Sequence, residues 1–331
     1  MITLAALYSG SARSFRFMER HSIQVSYRLN GMRLDAAISE SIPGLSRRRA
    51  KAIVDMGGAY INKKRVRIAS KTVGKGDRID VEYNEKLFEP GKKEALSLKP
   101  EDILYFENDI IIINKPAGLP SQATRDQAVL HVIPLLEKLL GEMGHKKMDL
   151  QLVHRLDKDT TGALVIATNK DTMTFLTDQF RQHSIQKTYH AIVWGVVEKS
   201  FEIKCMLSAI QPNTGKVKVV KAGGRSSETY FDVIKAYPAL RVSLMNCRPI
   251  TGRSHQIRVH LDEAGHPIIG DKVYGEGKRH KLPDELMQAA SHQLLHAASI
   301  RFQPTKDAAP VEVTAPYPES FASFLRLADS L

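Results

Sequence analysis

Cysteine is nearly missing from these 331 residues. The two present, Cys205 and Cys247, cannot build a disulfide framework or a thiolate-rich zinc site. They are consistent with a reducing compartment. Long apolar runs are missing too: none approaches the ~18 residues that a membrane span requires. There is no GxGxxG or Walker sequence, which argues against a dinucleotide-binding or P-loop architecture. Internal repeats and low-complexity tracts are also absent. Hydrophobic residues at 43% and charged residues at 25% are ordinary globular values. They argue against a disordered, fibrous or coiled-coil chain. The length suits two domains, or three small ones.

What the chain has in excess is positive charge. Lys and Arg total 48 against 36 Asp and Glu, a formal +12. The excess is uneven. Residues 1–100 carry 20 basic and 10 acidic side chains, while residues 101–331 carry 28 and 26. A basic N-terminal part therefore precedes a nearly neutral body. The simple reading is one solubilising surface. The sharper one is a nucleic-acid grip joined to a domain with another task.

Residues 1–21 read as an N-terminal extension. Arg13, Arg16 and Arg20 beside one acid loosely resemble an organelle presequence. A frayed extension or an upstream start codon is the simpler account. No basic residue precedes the apolar stretch Ile2 to Leu7, so a secretory signal fits worse.

Residues 22–84 read as a small α+β unit. Leu34, Ala37 and Ile38 fall at helical spacing, and Pro43-Gly44 ends that helix. Ser46 is a good N-cap for a second helix, Arg47 to Met56. A strand at Ala59–Ile61, a turn at Asn62-Lys63-Lys64 and a strand at Arg65–Ile68 follow. Gly74-Lys75-Gly76-Asp77 then turns into a strand at Arg78–Tyr83. The cations cluster here: Arg47, Arg48, Arg49 and Lys51 open the second helix, and Lys63, Lys64, Arg65 and Arg67 flank the turn. Cations at a helix N-terminus oppose the macrodipole, so another interaction should compensate. Phosphate favours the same place. The alternative is a solvated face. The stretch from Arg33 to Val81 resembles an S4 domain, a small RNA-binding module, in its helix–helix–hairpin order and basic second helix.

Residues 85–100 are mixed in charge, with two prolines and a glycine, and read as a linker. Residues 101–331 form the body. Strands are expected at Leu104–Phe106, Ile110–Asn114, Leu164–Thr168, Thr188–Val197, Val217–Val220, Thr229–Lys235 and Arg241–Cys247. Helices are expected at Val129–Leu140 and Thr172–His183. Strands dominate without regular βαβ alternation, so an α+β domain with a largely antiparallel mixed sheet is expected.

Three polar stretches stand out. His154-Arg155-Leu156-Asp157-Lys158-Asp159-Thr160-Thr161-Gly162 precedes an apolar strand, as a site on a rigidly held loop would. Read without further context, a solvated turn is the stronger account. Thr251 to His260 alternates from Arg253 onward and reads as a polar strand edge and turn. Its His255 and His260 lie at a spacing that suits neither a helix face nor a strand face, and no third metal ligand is evident. Lys187-Thr188-Tyr189-His190-Ala191 reads as strand packing.

Together these stretches closely resemble the RluA family of pseudouridine synthases. LVHRLDKDTTGALVIA is similar to that family's HRLD motif, and KTYHAIVWG to its tyrosine motif. RPITGRSHQIRVHLDEAGHPIIGDKVYG is similar to its third motif, LLHAASIRF to its closing strand and INKPAGLPSQ to its opening strand and turn. The resemblance runs from about Ile103 to Phe302. Thr161 stands where many members have Ser, which keeps the hydroxyl. An S4-type domain ahead of this body is a common family arrangement.

The resemblance implies an isomerase that turns uridine in RNA into pseudouridine with no cofactor and no metal. It implies Asp157 as nucleophile or general base, its point of attack left open, and Arg258 as its ion-pair partner. An ionised carboxylate in a pocket needs such a cation. Tyr189 would stack on the flipped uracil, with its counterpart also proposed to take the C5 proton. Arg155 would fill the gap left in the RNA, and Ile257 and His154 would line the pocket. Arg47, Arg48, Arg49, Lys51, Lys63, Lys64 and Arg65 would bind RNA. Lys158 and Asp159 read as a solvated turn. The expected partner is RNA, of the 23S type or a large-subunit precursor, acted on by a cytoplasmic monomer away from membranes. A tRNA enzyme, or a non-catalytic assembly factor, is the alternative.

Overall fold

The computed structural model describes residues 18–84, 96–123, 130–277 and 280–331. Most of the expected extension (residues 1–17) and linker (residues 85–95) lies outside the described residues. The chain divides into two compact units, Met1–Ala95 and Leu96–Leu331.

The first unit holds a four-stranded sheet and two helices. Its strands are β1 (Met18–Gln24), β2 (Ala59–Ile61), β3 (Lys64–Val66) and β4 (Arg78–Asn84), ordered β1-β4-β2-β3. The helices are α1 (Leu34–Ser41) and α2 (Arg47–Asp55). Ala50, Ile53 and Val54 turn one side of α2 inward, towards Leu34, Ala37, Ile38, Ile79 and Val81. This three-to-four-residue spacing leaves the arginines outside. The Ser46 side chain accepts from Arg49 N at 3.3 Å, as its cap role requires. β1 differs from the sequence reading, which put Met18 to His21 in the extension. Met18–Gln24 pairs antiparallel with β4 along its whole length. It alternates too weakly in hydrophobicity to announce a strand.

The second unit contains β5 (Ile103–Glu107), β6 (Ile110–Lys115), β7 (Gln151–Leu152), β8 (Thr161–Ala167), β9 (Gln186–Trp194), β10 (Phe201–Leu207), β11 (Val219–Val220), β12 (Arg225–Tyr237), β13 (Val242–Pro249), β14 (Leu295–Phe302) and β15 (Val311–Thr314). They form one sheet in the order β11-β10-β12-β13-β9-β14-β8-β6-β5, with β15 on β14 and β7 on β8. Only the β8–β14 pair is parallel among the described strands. The helices are α3 (Val132–Glu142), α4 (Lys170–Arg181), α5 (Gln256–Glu263), α6 (Asp284–Ala289) and α7 (Glu319–Ser330). No described helix is long and apolar enough to cross a membrane.

β6 shows why the sheet is covered on both sides. Ile111 and Ile113 pack with Leu136 and Leu139 of α3, while Ile110 and Ile112 pack with Leu176 of α4. A strand buried on both faces reads as an unbroken apolar run. Pro134 lies in the first turn of α3, where its missing N–H costs nothing. α7 covers the far half of the sheet with Phe321 and Phe324 against Ile192, Trp194 and Leu244.

Candidate active site

β8, β14, β9 and β13 are neighbours in the sheet, and the three polar stretches lie on or beside them. The loop before β8 carries Asp157, β9 carries Tyr189, and the turn after β13 leads into α5 with Arg258. Residues far apart in sequence therefore line one cleft of about 610 Å³. Arg155, Asp157, Tyr189, Ile257, Arg258 and His154 all line it.

The Asp157 loop is clamped at nearly every residue. His154 Nε2 accepts from Val165 N at 3.0 Å. Burial, then the nearby Lys187, push the His154 pKa down to about 3, so the ring stays neutral and can accept. Ser121 Oγ donates to Leu156 O at 2.8 Å and accepts from Leu156 N at 3.0 Å. Lys115 is fully buried, and its Nζ donates to Pro116 O at 2.9 Å, Leu119 O at 2.9 Å and Lys158 O at 3.0 Å. Burial draws the Lys115 pKa down to about 7, against the pull of Asp159 and Asp157. Three acceptors nonetheless match the three N–H groups of the charged form. Gln293 Nε2 donates to Thr160 Oγ1 at 2.7 Å, and Thr161 Oγ1 bonds His296 Nδ1 at 2.8 Å.

Gly162 completes the clamp. It adopts φ +105°, and a Cβ there would meet Ala297 O at 2.3 Å. Only glycine lets β8 approach β14 this closely.

Arg258 sits in the first turn of α5 with 6% of its surface exposed. Nε and Nη2 reach the two oxygens of Asp271 at 2.7 and 2.9 Å, and Nη1 donates to Asp157 Oδ2 at 2.8 Å. One guanidinium thus spans two carboxylates, using the fork geometry that lysine lacks. Burial alone would lower the arginine's pKa, but Asp271 and Asp157 outweigh it and hold it raised. Burial likewise opposes the charge on Asp271, and Arg258 with the N–H groups of Val273 and Tyr274 holds its pKa low. His255 Nε2 lies 3.9 Å from Asp157, and its Nδ1 bonds Tyr274 Oη at 3.0 Å.

The stretch Arg253 to His260 was expected as a strand edge and turn. It is the start of α5 instead. His255 takes a left-handed conformation, φ 54°, and the helix begins at Gln256. Gln256 Oε1 accepts from Thr251 Oγ1 at 2.7 Å and Arg253 N at 2.9 Å, while its Nε2 donates to Glu228 O at 2.9 Å. Gln256, Arg258 and His260 are buried and hydrogen-bonded, so polarity did not mark a solvent face.

Tyr189 lies on β9 opposite a bulge between Ala297 and Ser299 of β14. Bulges commonly re-aim side chains beside active sites. Burial, then the charge of Asp157, push the Tyr189 pKa well above the ordinary phenol range. Ile257 is buried against Ala191, Val193 and Leu295. Arg155 is exposed at the cleft rim. Lys115, Ser121, Lys187 and Asp271 lie inside stretches that the sequence marked, but no role was expected for any of them.

Comparison with known proteins gives the family. The model for RNA pseudouridylate synthase matches residues 109–263, and that for the S4 domain matches residues 32–79. A ribosomal large subunit pseudouridine synthase D from Neisseria meningitidis is 32% identical over 316 residues, covering 92% of this chain and 81% of that protein. The chain belongs to the RluA family of RNA pseudouridine synthases. A ribosomal large subunit pseudouridine synthase C from Escherichia coli is 30% identical, over 89% of this chain and 92% of that protein. The solved structure of human RNA Pseudouridylate Synthase Domain Containing 4 matches with a TM-score of 0.56 and 26% identity. It covers 69% of this chain and 93% of that one. The α+β pseudouridine synthase fold with an S4 domain is therefore established, as is the isomerase class.

In this RNA pseudouridine synthase the expected RNA-binding cations lie on the first unit. Arg47, Arg48, Lys51, Lys63, Lys64 and Arg65 are exposed, and Arg49 is half-buried. Some are engaged: Arg47 lies 3.6 Å from Asp35, and Lys51 pairs with Asp55. Arg65 donates to Tyr60 Oη and lies 5.2 Å over its ring. These contacts leave the charge at the surface, where phosphate can reach it.

Proposed function

We propose that this synthase isomerises uridine in large-subunit ribosomal RNA, with Asp157 as nucleophile or general base. The observation that carries the catalytic part is the Arg258–Asp157 contact of 2.8 Å at the wall of a cleft that also contains Tyr189. The relatives named above for the ribosomal large subunit support the substrate, and a cytoplasmic location follows from that reading.

Isomerisation breaks the N1–C1′ bond, forms a C5–C1′ bond, releases the C5 proton and returns a proton to N1. Nothing is oxidised or reduced, so one positioned carboxylate suffices. The nucleotide must leave its stack, at a cost of a few kcal/mol. Arg155, exposed at the rim, occupies the vacated space in this reading. Tyr189 stacks on the uracil, and Ile257 and Leu295 supply apolar wall. The raised pKa of Tyr189 suits a stacking phenol and weighs against it as the acceptor of the C5 proton. The exposed cations of the S4 domain hold phosphates. Arg47, Arg48, Arg49, Lys51, Lys63, Lys64 and Arg65 serve that purpose in this reading, and residues 22–84 and 101–331 divide binding from turnover.

The test maps pseudouridine across ribosomal and transfer RNA in cells with and without the gene. Loss of one or more large-subunit sites is expected. Loss confined to tRNA would move the substrate, and loss of none would favour a non-catalytic role.

A further inference from the structure

Lys187 lies two residues before Tyr189 on β9, so both side chains leave the same face of the strand and both line the cleft. The other cations of the cleft are committed or exposed. Arg258 is held by Asp271 and Asp157. Arg253 gives Nε to Ser226 O at 2.9 Å, and Arg155 stands at the exposed rim. Lys187 is half-buried, and among the described residues no carboxylate lies within 4 Å of its Nζ. Its polar contact is a long one, 3.4 Å to Thr251 O, and its Nζ lies 5.9 Å from the centre of the Phe180 ring. An ammonium so poorly paired in an apolar surround is costly unless a ligand completes it.

We propose that Lys187 engages the O4 carbonyl of the flipped uracil and stabilises the negative charge that O4 gathers during the reaction. This rests on the uridine isomerase reading above. Either attack route leads to the same oxygen. Addition of the Asp157 carboxylate at C6 drives the C5–C6 electron pair into the C4 carbonyl. Cleavage of N1–C1′ instead leaves the pair on N1, shared with O2 and O4. A cation placed there acts on charge that exists only as the reaction proceeds, which raises kcat rather than affinity. Phosphate is the less suitable ligand, because the rim cation Arg155 is exposed and Lys187 is recessed among Phe180, His154 and Tyr189.

The experiment pairs Lys187→Met with substrate RNA carrying 4-thiouridine at the target, since sulfur is a poorer hydrogen-bond acceptor. Single-turnover rates and RNA affinity are measured for the full chain. Lys187→Met is expected to lower the rate with uridine by roughly 100-fold, with affinity within about 3-fold. The thio penalty relative to uridine should be about 10-fold larger in the wild type than in Lys187→Met, a coupling typical of a lost contact to a charged group. Weakened affinity with an unchanged rate would overturn the proposal in favour of a phosphate contact. An equal thio penalty in both proteins would overturn it as well. Lys187→Gln keeps length and a neutral donor; it should retain part of the rate, and it replaces the Met variant if that protein does not fold. A wild-type protein inactive on every uridine RNA would instead overturn the underlying isomerase reading.

Discussion

Three arginines open α2 and one lies within α5, and their surroundings make them different instruments. Arg47 and Arg48 stand in water at the start of a helix whose dipole opposes them. Their charge is screened, adjustable and open to any phosphate. Arg258 is 6% exposed and fixed by both oxygens of Asp271, with one N–H group left for Asp157. It has no freedom to find a partner and imposes one geometry. The net charge of the chain comes mainly from the first unit, yet the proposed chemistry rests on the second kind of arginine. A charge count therefore points to the proposed RNA grip and passes over the proposed catalytic wall.

The comparison breaks most sharply at Asp157. Asp157→Asn keeps the size and nearly all the packing of the loop, because the clamps at Ser121, Lys115 and Gln293 do not touch its carboxylate. Turnover should fall by at least ~1,000-fold while RNA affinity stays within a few-fold. Tritium release from C5-labelled uridine RNA reads the first and filter binding the second. Appreciable release by the variant would remove Asp157 from the mechanism.

Next in size is Arg258→Ala, which strands the Asp271 carboxylate in the interior. Breaking a buried pair this way costs ~3–5 kcal/mol, seen as a lower urea midpoint. A double variant, Arg258→Met with Asp271→Leu, should recover part of that stability because no charge is left unpaired. It should not recover turnover, since Asp157 still lacks its partner. Recovery of both would show that Arg258 serves only the fold.

The same contrast explains what the sequence disclosed. The Asp157 loop stood out as a dense polar run ahead of an apolar strand, but only its resemblance to the family motif raised it above a solvated turn; α1 and α2 were legible from spacing and a cap, and β6 from its apolar run. α5 was not, because Gln256, Arg258 and His260 are polar yet buried, and the alternation they create imitates a strand edge. His260 illustrates this: its Nε2 is spent on Ser227 Oγ at 2.9 Å inside the protein. Lys115 read as a turn residue, since three carbonyls converge on it only after the loop folds. β1 was hidden because its partner β4 supplies the order that its own pattern lacks. In each case the missing signal is a long-range partner.

On the exposed side, Arg47, Arg48, Lys63 and Lys64 changed together to Ala should weaken RNA binding without altering the single-turnover rate at saturation. If each meets a phosphate, the slope of log affinity against log salt should shallow by about 3. That corresponds to an affinity loss of roughly 10–100-fold near physiological salt. An unchanged slope would take the first unit out of RNA binding.

The smallest effect separates the two kinds of cation by pH. Burial draws the Lys187 pKa down to about 8. The groups that line its cleft are His154, Arg155, Asp157, Tyr189, Arg253, His255 and Arg258. Burial lowers the pKa of His154 and His255, and burial with Asp157 raises that of Tyr189, so none of these three titrates near 8. Lys187 is an ammonium below that value and a neutral amine above it. If the ammonium assists the reaction, its contribution to the single-turnover rate is present below about 8 and falls to roughly a tenth one unit above, on top of any limb near 7 from Lys115 behind the Asp157 loop. RNA affinity at constant salt should change little over the same range, because surface arginines keep their charge. Lys187→Gln should remove the limb near 8 and leave any limb near 7 in place. A limb near 8 that persists in that variant would assign the titration to another group and leave Lys187 a packed lysine on β9.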